Sequence, residues 1–156
     1  AKTTKNMVKL IDQSLPKPLK TKGGLLRIHV GGDFFSQAYF DAWLTIAKLY
    51  PQSVFYAYTK SIPYVVNRLP LPANFRITAS RGGKADELID KYNLVNASIV
   101  FSLAEANQKG LALDHDDSHA VDNTVSFGLM IHGVQPKGSK ASKAKHAYYG
   151  KGGYSQ

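Results

Sequence analysis

The sequence predicts an α/β protein with a mainly parallel sheet, either open or part of a partial βα barrel, with covering helices and basic tails. Three observations carry this prediction. Apolar, β-branched runs alternate with amphipathic helical stretches along the chain, the order that builds βαβ units. The runs are nearly continuous in their apolar character, as expected of strands covered on both faces. The clearest of them, Leu25-Leu26-Arg27-Ile28-His29-Val30, stops abruptly at Gly31-Gly32-Asp33 before an amphipathic stretch. That is the strand, tight turn and helix of one βα unit.

The elements follow in order. Met7, Leu10 and Ile11 stand at helical spacing over 6–15, and Pro16 and Pro18 end that helix. The Pro/Lys/Gly stretch 16–24 reads as a linker to the first strand, 25–30. Ser36 offers an N-cap to a helix over 37–50. Its Tyr39, Phe40, Trp43, Leu44 and Ala47 form one apolar stripe, and Pro51 stops it. Further strands are expected at 54–58, 75–79, 97–103 and 125–131. A short helix over 62–69 carries Pro63 in its first turn, and another over 84–92 follows the Arg81-Gly82-Gly83 turn. Beyond Pro136 the sequence is low in complexity. The domain reading is a basic N-terminal helix and linker over 1–24, an α/β core over 25–134, and a Gly/Lys/Tyr-rich tail over 135–156.

Composition bounds the function classes. A chain of 156 residues with 44% hydrophobic content can bury one core. It contains no cysteine, so it holds no disulfide, zinc ribbon or cysteine-ligated iron–sulfur cluster of its own. No apolar run approaches the length of a membrane span and no signal-peptide pattern opens the chain, so a soluble protein is expected. The net charge of +9 is concentrated at the ends, with +5 over 1–22, +5 over 135–156 and −1 between them. Lysine-rich ends suit nucleic-acid phosphates through counterion release or an acidic partner surface; they also serve simple solubility. Tyr148, Tyr149 and Tyr154 interleave with the C-terminal lysines and can stack on bases. Residues 137–156 have few aliphatic side chains and are expected to be mobile unless a partner orders them.

In a parallel sheet the C-terminal strand ends share one edge, where ligands gather. Here the first three strands end at Gly31-Gly32-Asp33, Thr59-Lys60-Ser61 and Ser80-Arg81-Gly82. Gly31 and Gly32 let a ligand approach the backbone closely, and Asp33 can accept from an amine or hydroxyl or bind a metal. Lys60 and Arg81 bring positive charge, and Thr59, Ser61 and Ser80 bring hydroxyls. Asp33, Lys60 and Arg81 are therefore expected to converge on one cavity as the reactive groups, around a small carboxylate, phosphate or zwitterionic ligand. The plainer alternative is that the glycines only make the turn and Asp33 only caps a helix.

A second constellation is Asp114-His115-Asp116-Asp117-Ser118-His119-Ala120. Asp114, His115, Asp116, Asp117 and His119 are candidate ligands for a divalent metal, and the mixture suits zinc, manganese, iron or nickel better than calcium. Such a site could activate water in a metal-dependent hydrolase. Its spacing matches no zinc-helix signature, and a polar loop whose acids balance nearby lysines and arginines fits the same residues. His29, within the first strand, and His132 read as hydrogen-bonded core histidines.

Arg27-Ile28-His29-Val30-Gly31-Gly32-Asp33-Phe34-Phe35-Ser36, Phe55-Tyr56-Ala57-Tyr58-Thr59-Lys60-Ser61 and the 114–120 string resemble motifs of a phage and plasmid family, the gene product 88 proteins. The likeness runs from about Lys5 to about Gly138. The resemblance implies a longer N-terminal region with several cysteines spaced like an iron–sulfur cluster motif. This chain does not carry it, and so resembles the family's C-terminal portion, as a shortened member or a fragment. The family is in turn distantly similar to radical S-adenosylmethionine enzymes, in which a Gly-Gly-Glu-like turn at the end of an inner barrel strand holds the cofactor's amino group. Gly31-Gly32-Asp33 stands in the matching context, and Thr59 and Lys60 stand where the next strand ends in polar residues. Without cysteines, radical chemistry by this chain alone is not credible. The resemblance implies a partial βα barrel that binds an adenosyl or nucleotide ligand in the cytoplasm of an infected bacterium. The alternatives are a non-catalytic phage protein that holds nucleic acid or a host protein through its basic ends, and a metal-dependent hydrolase built on the 114–119 loop.

Overall fold

The computed structural model describes residues 3–131 and 137–149. Two helices, Thr4–Ser14 (α1) and Lys17–Thr21 (α2), precede the first strand, Leu25–Arg27 (β1). Gln37–Leu49 (α3), Val54–Thr59 (β2), Ile62–Val66 (α4), Phe75–Ser80 (β3), Asp86–Lys91 (α5) and Asn96–Val100 (β4) follow. Leu103–Gln108 (α6), Ser118–Asp122 (α7), Phe127–Met130 (β5) and Lys140–Tyr149 (α8) complete the described chain. The five strands form one all-parallel sheet in the order β1-β2-β3-β4-β5, curled into a half-barrel with helices, an α/β fold.

Alternation along the strands gives the sheet two faces. Phe55, Ala57, Phe75 and Ile77 point outward, where they pack with Phe40, Leu44 and Ala47 of α3 and Val65 of α4. Val8, Ile11 and Leu15 of α1 and its flank close over the same cluster. Ser36 caps α3 by accepting from the Tyr39 amide at 3.1 Å. At the far end Ala106 of α6 packs with Val100 and Met130. The inward face carries Tyr56, Ala97 and Phe127, which pack with Ala120 of α7. The crossover from β4 to β5 therefore runs first outside the sheet, as α6, and then inside the curl, as α7.

Two details of register position the site. β2 and β3 pair from Phe55–Phe75 to Thr59–Ala79, and β4 and β5 from Ala97–Phe127 to Val100–Met130. β3 and β4 meet only at Ala79–Asn96 and Ser80–Ala97. Below that contact the Asn123 side chain stands in for a strand: its Nδ2 donates to the Ile77 carbonyl at 2.9 Å. Along the outer edge of β5, Leu113 makes a single parallel bridge to Gly128, which delivers Asp114 to the mouth of the curl.

Several elements differ from the expected ones. The stretch 16–24 is not a linker: it holds α2, whose Leu19 is 5% exposed and accepts from Ser53 Oγ at 2.6 Å. The first strand ends at Arg27 and not at residue 30, because His29 turns into the left-handed region (φ 63). His29 is thus outside the strand. The expected strand 97–103 stops at Val100. Ser102 accepts from the Glu105 amide at 3.1 Å and Glu105 accepts from the Phe101 amide at 2.8 Å, a variant of the capping box that starts α6. The helix expected over 84–92 is Asp86–Lys91, fixed where the Asp86 carboxylate accepts the Gly82 and Gly83 amides. The helix expected over 62–69 ends at Val66. The low-complexity tail contains α8, whose Lys140 Nζ lies 5.6 Å from the Phe101 ring centroid. His132, residues 150–156 and the side chains of Tyr148 and Tyr149 lie outside the described structure. No helix among the described residues is long and apolar enough to cross a membrane.

Candidate functional site

Asp33 is a clamp between two strand ends. Its Oδ1 accepts from the Phe34 amide at 2.7 Å and from Thr59 Oγ1 at 2.5 Å, and its Oδ2 accepts from the Lys60 amide at 2.8 Å. Ser61 continues the clamp: its amide donates to Thr59 Oγ1 at 2.9 Å and its hydroxyl to the Phe34 carbonyl at 2.8 Å. Both Asp33 oxygens are engaged within the fold, and the residue caps no helix. It fixes the Gly31-Gly32 turn, where Gly32 takes φ 81 and a Cβ on either glycine would meet open space. Lys60 Nζ donates to the Arg81 carbonyl at 2.8 Å. The Arg81 guanidinium points elsewhere, to Asp90 at 2.5 Å and Asn96 at 2.8 Å. Asp33 and Lys60 thus face one cavity with Gly31, Gly32, Thr59 and Ser80, while Arg81 does not. The expected convergence of all three charged groups is corrected by the ion pair that Asp90 offers Arg81 on α5.

The 114–119 loop is organised around a carboxylate. Asp114, its side chain 1% exposed, accepts from the amides of Asp117 (2.8 Å) and His119 (3.1 Å), Ser118 Oγ (3.1 Å) and His119 Nδ1 (2.7 Å). Burial alone would raise its pKa, but these bonds, led by His119, hold it below the usual carboxylate value. The loop places Asp117 in a left-handed conformation (φ 64), a strain commonly found at functional sites. From there its carboxylate accepts from Arg27 Nη1 at 2.9 Å, Tyr56 OH at 2.9 Å and Tyr58 OH at 3.2 Å. Burial, with the Asp117 hydrogen bond second, pushes Tyr56 up to about 12. Burial and then the Asp117 charge raise Tyr58 as well. His29, whose Nε2 is 2.8 Å from Tyr39 OH, has its pKa lowered by burial, partly offset by Asp33.

The five candidate metal ligands are not brought together. Asp114 faces its own loop and His119, Asp116 accepts from the Ser118 amide at 3.1 Å, Asp117 faces Arg27 and the tyrosines, and His115 is exposed. Among the described residues no group of three or more His, Asp or Glu side chains can hold a metal ion. Consecutive residues on a tight turn point in different directions, and here Asp114, Asp116, Asp117 and His119 each find a protein partner while His115 faces outward.

Two cavities meet in the curl. One, of about 350 Å³, is floored by the 29–33 turn and Thr59. The other, of about 510 Å³, reaches Ile99, Leu129, Asp114, His115 and Asp117. Arg27, Tyr58, Lys60 and Ser80 line both. Arg27, Tyr56 and Tyr58 were not among the residues singled out from sequence. Their signal is present as a period of two: a lone arginine in an apolar strand, and hydroxyl-bearing aromatics at alternate positions of the next.

The fold defines an α/β half-barrel protein whose interior is lined at its mouth with hydroxyl and ionisable groups. The family model of gene product 88 matches residues 1–150, and the chain belongs to the gene product 88 family. No curated protein and no solved structure matches it.

Proposed function

We propose that the half-barrel binds a small polar ligand of nucleotide or adenosyl type in the two joined cavities at the C-terminal strand ends. The observation that carries the reading is the shared wall of Arg27, Tyr58, Lys60 and Ser80, which joins a glycine-floored polar chamber to one with Ile99 and Leu129 on its side. A few placed polar groups beside apolar surface are the usual make-up of a ligand site. Lys60 uses one of its three ammonium donors on Arg81, leaving it able to meet an anionic oxygen. The resemblance of Gly31-Gly32-Asp33 to an adenosyl-binding turn supports the adenosyl class, with Asp33 acting through the turn it holds. In this reading the chain acts in the cytoplasm of a phage-bearing host.

Calorimetric titration with S-adenosylmethionine, ATP and AMP tests the proposal. Saturable binding by at least one, weakened about tenfold or more in Lys60→Ala, is expected from loss of a charge-assisted contact. Absence of both heat and thermal stabilisation with all three overturns it.

A second reading rests on α8, which carries Lys140, Lys143 and Lys145 and no acid. It makes the basic C-terminal segment a nucleic-acid contact. Binding to DNA or RNA that falls steeply with salt, and is lost on removal of residues 137–156, is the expected result. No binding at low salt removes this reading.

A further inference from the structure

We propose that Arg27 selects the ligand by its anionic group, exchanging Asp117 for that group when both cavities are filled. This deepens the binding reading above and rests on it. Arg27 stands on the wall common to the two cavities. Its Nη1 is 2.9 Å from Asp117, its Nε donates to the His29 carbonyl at 3.1 Å, and its guanidinium carbon lies 5.0 Å from the Tyr58 ring centroid. The ion pair therefore lies where a ligand spanning both chambers must pass. The two side chains are 34% and 26% exposed, so the pair is open to water and to an entering ligand.

Asp117 does not need Arg27 to stay in place. It keeps the hydroxyls of Tyr56 and Tyr58, and its backbone amide is tied to Asp114. Arg27 can swing to an incoming oxyanion without stranding a bare carboxylate. Lys60, on the same wall, supplies a second cation to that oxyanion. A neutral ligand offers Arg27 nothing in exchange and leaves the pair closed. The shared chemistry is an anionic oxygen pair on a nucleoside frame, from a phosphate ester or from an amino-acid carboxylate.

Calorimetric titration of the whole chain with adenosine, AMP and S-adenosylmethionine tests this. Wild type is expected to bind AMP, S-adenosylmethionine or both about tenfold or more tighter than adenosine, the worth of one charge-assisted contact. AMP alone identifies a phosphate source, and S-adenosylmethionine alone a carboxylate source. In Arg27→Ala the preference should fall to within about threefold, while Arg27→Lys, which keeps the charge but not the planar fork, should retain part of it. If Arg27→Ala fails to fold, Arg27→Lys and the loss of the preference at high salt in wild type decide the matter. Equal binding of adenosine and of the two ligands that carry a phosphate or a carboxylate by wild type, or a preference that survives in Arg27→Ala, overturns the selection while leaving the pocket. Failure of all three to bind overturns both.

Discussion

Replacing Asp114 with alanine removes the acceptor around which residues 114–119 are folded. Four donors lose their partner: the Asp117 and His119 amides, Ser118 Oγ and the His119 ring. Ser118 is exposed and His119 is 27% exposed, so both recover water. The two amides are the costly groups, at about 1–3 kcal/mol each when left buried and unpaired. Relief of the carboxylate's own desolvation offsets part of this, and the net loss is about 3 kcal/mol. For a chain of this size that corresponds to a fall in Tm of roughly 6–12 °C. Urea titration followed by circular dichroism measures the loss directly. Asp114→Asn, which keeps an acceptor oxygen but not the charge, should fall between alanine and wild type. A change below about 1 kcal/mol in Asp114→Ala refutes the view that this carboxylate organises the loop.

Other expectations follow from the same geometry. Asp114 titrates below its ordinary 3.8 in the fold, so its contribution is complete above that value and is lost as pH falls through the depressed one. Acid unfolding should steepen below about pH 4, and an unchanged acid limb in Asp114→Asn would count against this. Tyr56 is raised from 10.0 to about 12, so the stability it contributes is full below the unfolded value and declines as pH rises between the two. Tyrosinate absorbance should show a late-titrating component that Tyr56→Phe reduces but does not abolish, since Tyr58 is raised as well. Gly23→Ala should cost about 3 kcal/mol, since a Cβ would stand 2.5 Å from the Gln52 carbonyl oxygen at φ +91. Gly32→Ala meets open space and should cost only the left-handed penalty, about 1 kcal/mol; equal losses at the two sites would show that the clash at Gly23 relaxes. Phe127→Ala, at a fully buried inner-face position, should cost about 3–5 kcal/mol by urea titration. A loss under about 1 kcal/mol would mean that α7 does not depend on that ring.

What was legible in the sequence is what local chemistry dictates. Ser36 before an apolar stripe places α3, and the runs 54–58 and 75–79 place β2 and β3 within a residue of their ends, because apolar continuity marks strands covered on both sides. The parallel arrangement and the family followed from the same segments. Features settled by distant partners were not legible. Leu19 turns an apparent linker into a helix because Ser53 and the sheet edge wait for it. Arg81 faces away from the strand mouth because Asp90 pairs with it. Asp33 looks like a ligand contact in sequence, but Thr59 and the Lys60 amide claim it once β1 and β2 lie side by side. Arg27 and Asp117, separated by 90 residues, become one pair only after the curl forms.

The brief meeting of β3 and β4 at Ala79–Asn96 and Ser80–Ala97 makes the sheet two panels joined at a seam. On its outer face the first panel is backed by Phe40, Phe55 and Phe75 in a broad aromatic layer; the second has behind it only the small contact among Val100, Ala106 and Met130, with Ala97 and Phe127 held against α7 on the inner face. Deuterium should therefore enter the amides of β4 and β5 well before those of β2 and β3, since local opening follows the thinner packing. Ser80 lies on one side of the seam and Ile99 on the other, both in the wall of the larger mouth cavity. A molecule seated there acts as a rivet, and its presence should be recorded as slowed exchange in the second panel, far beyond the atoms it touches.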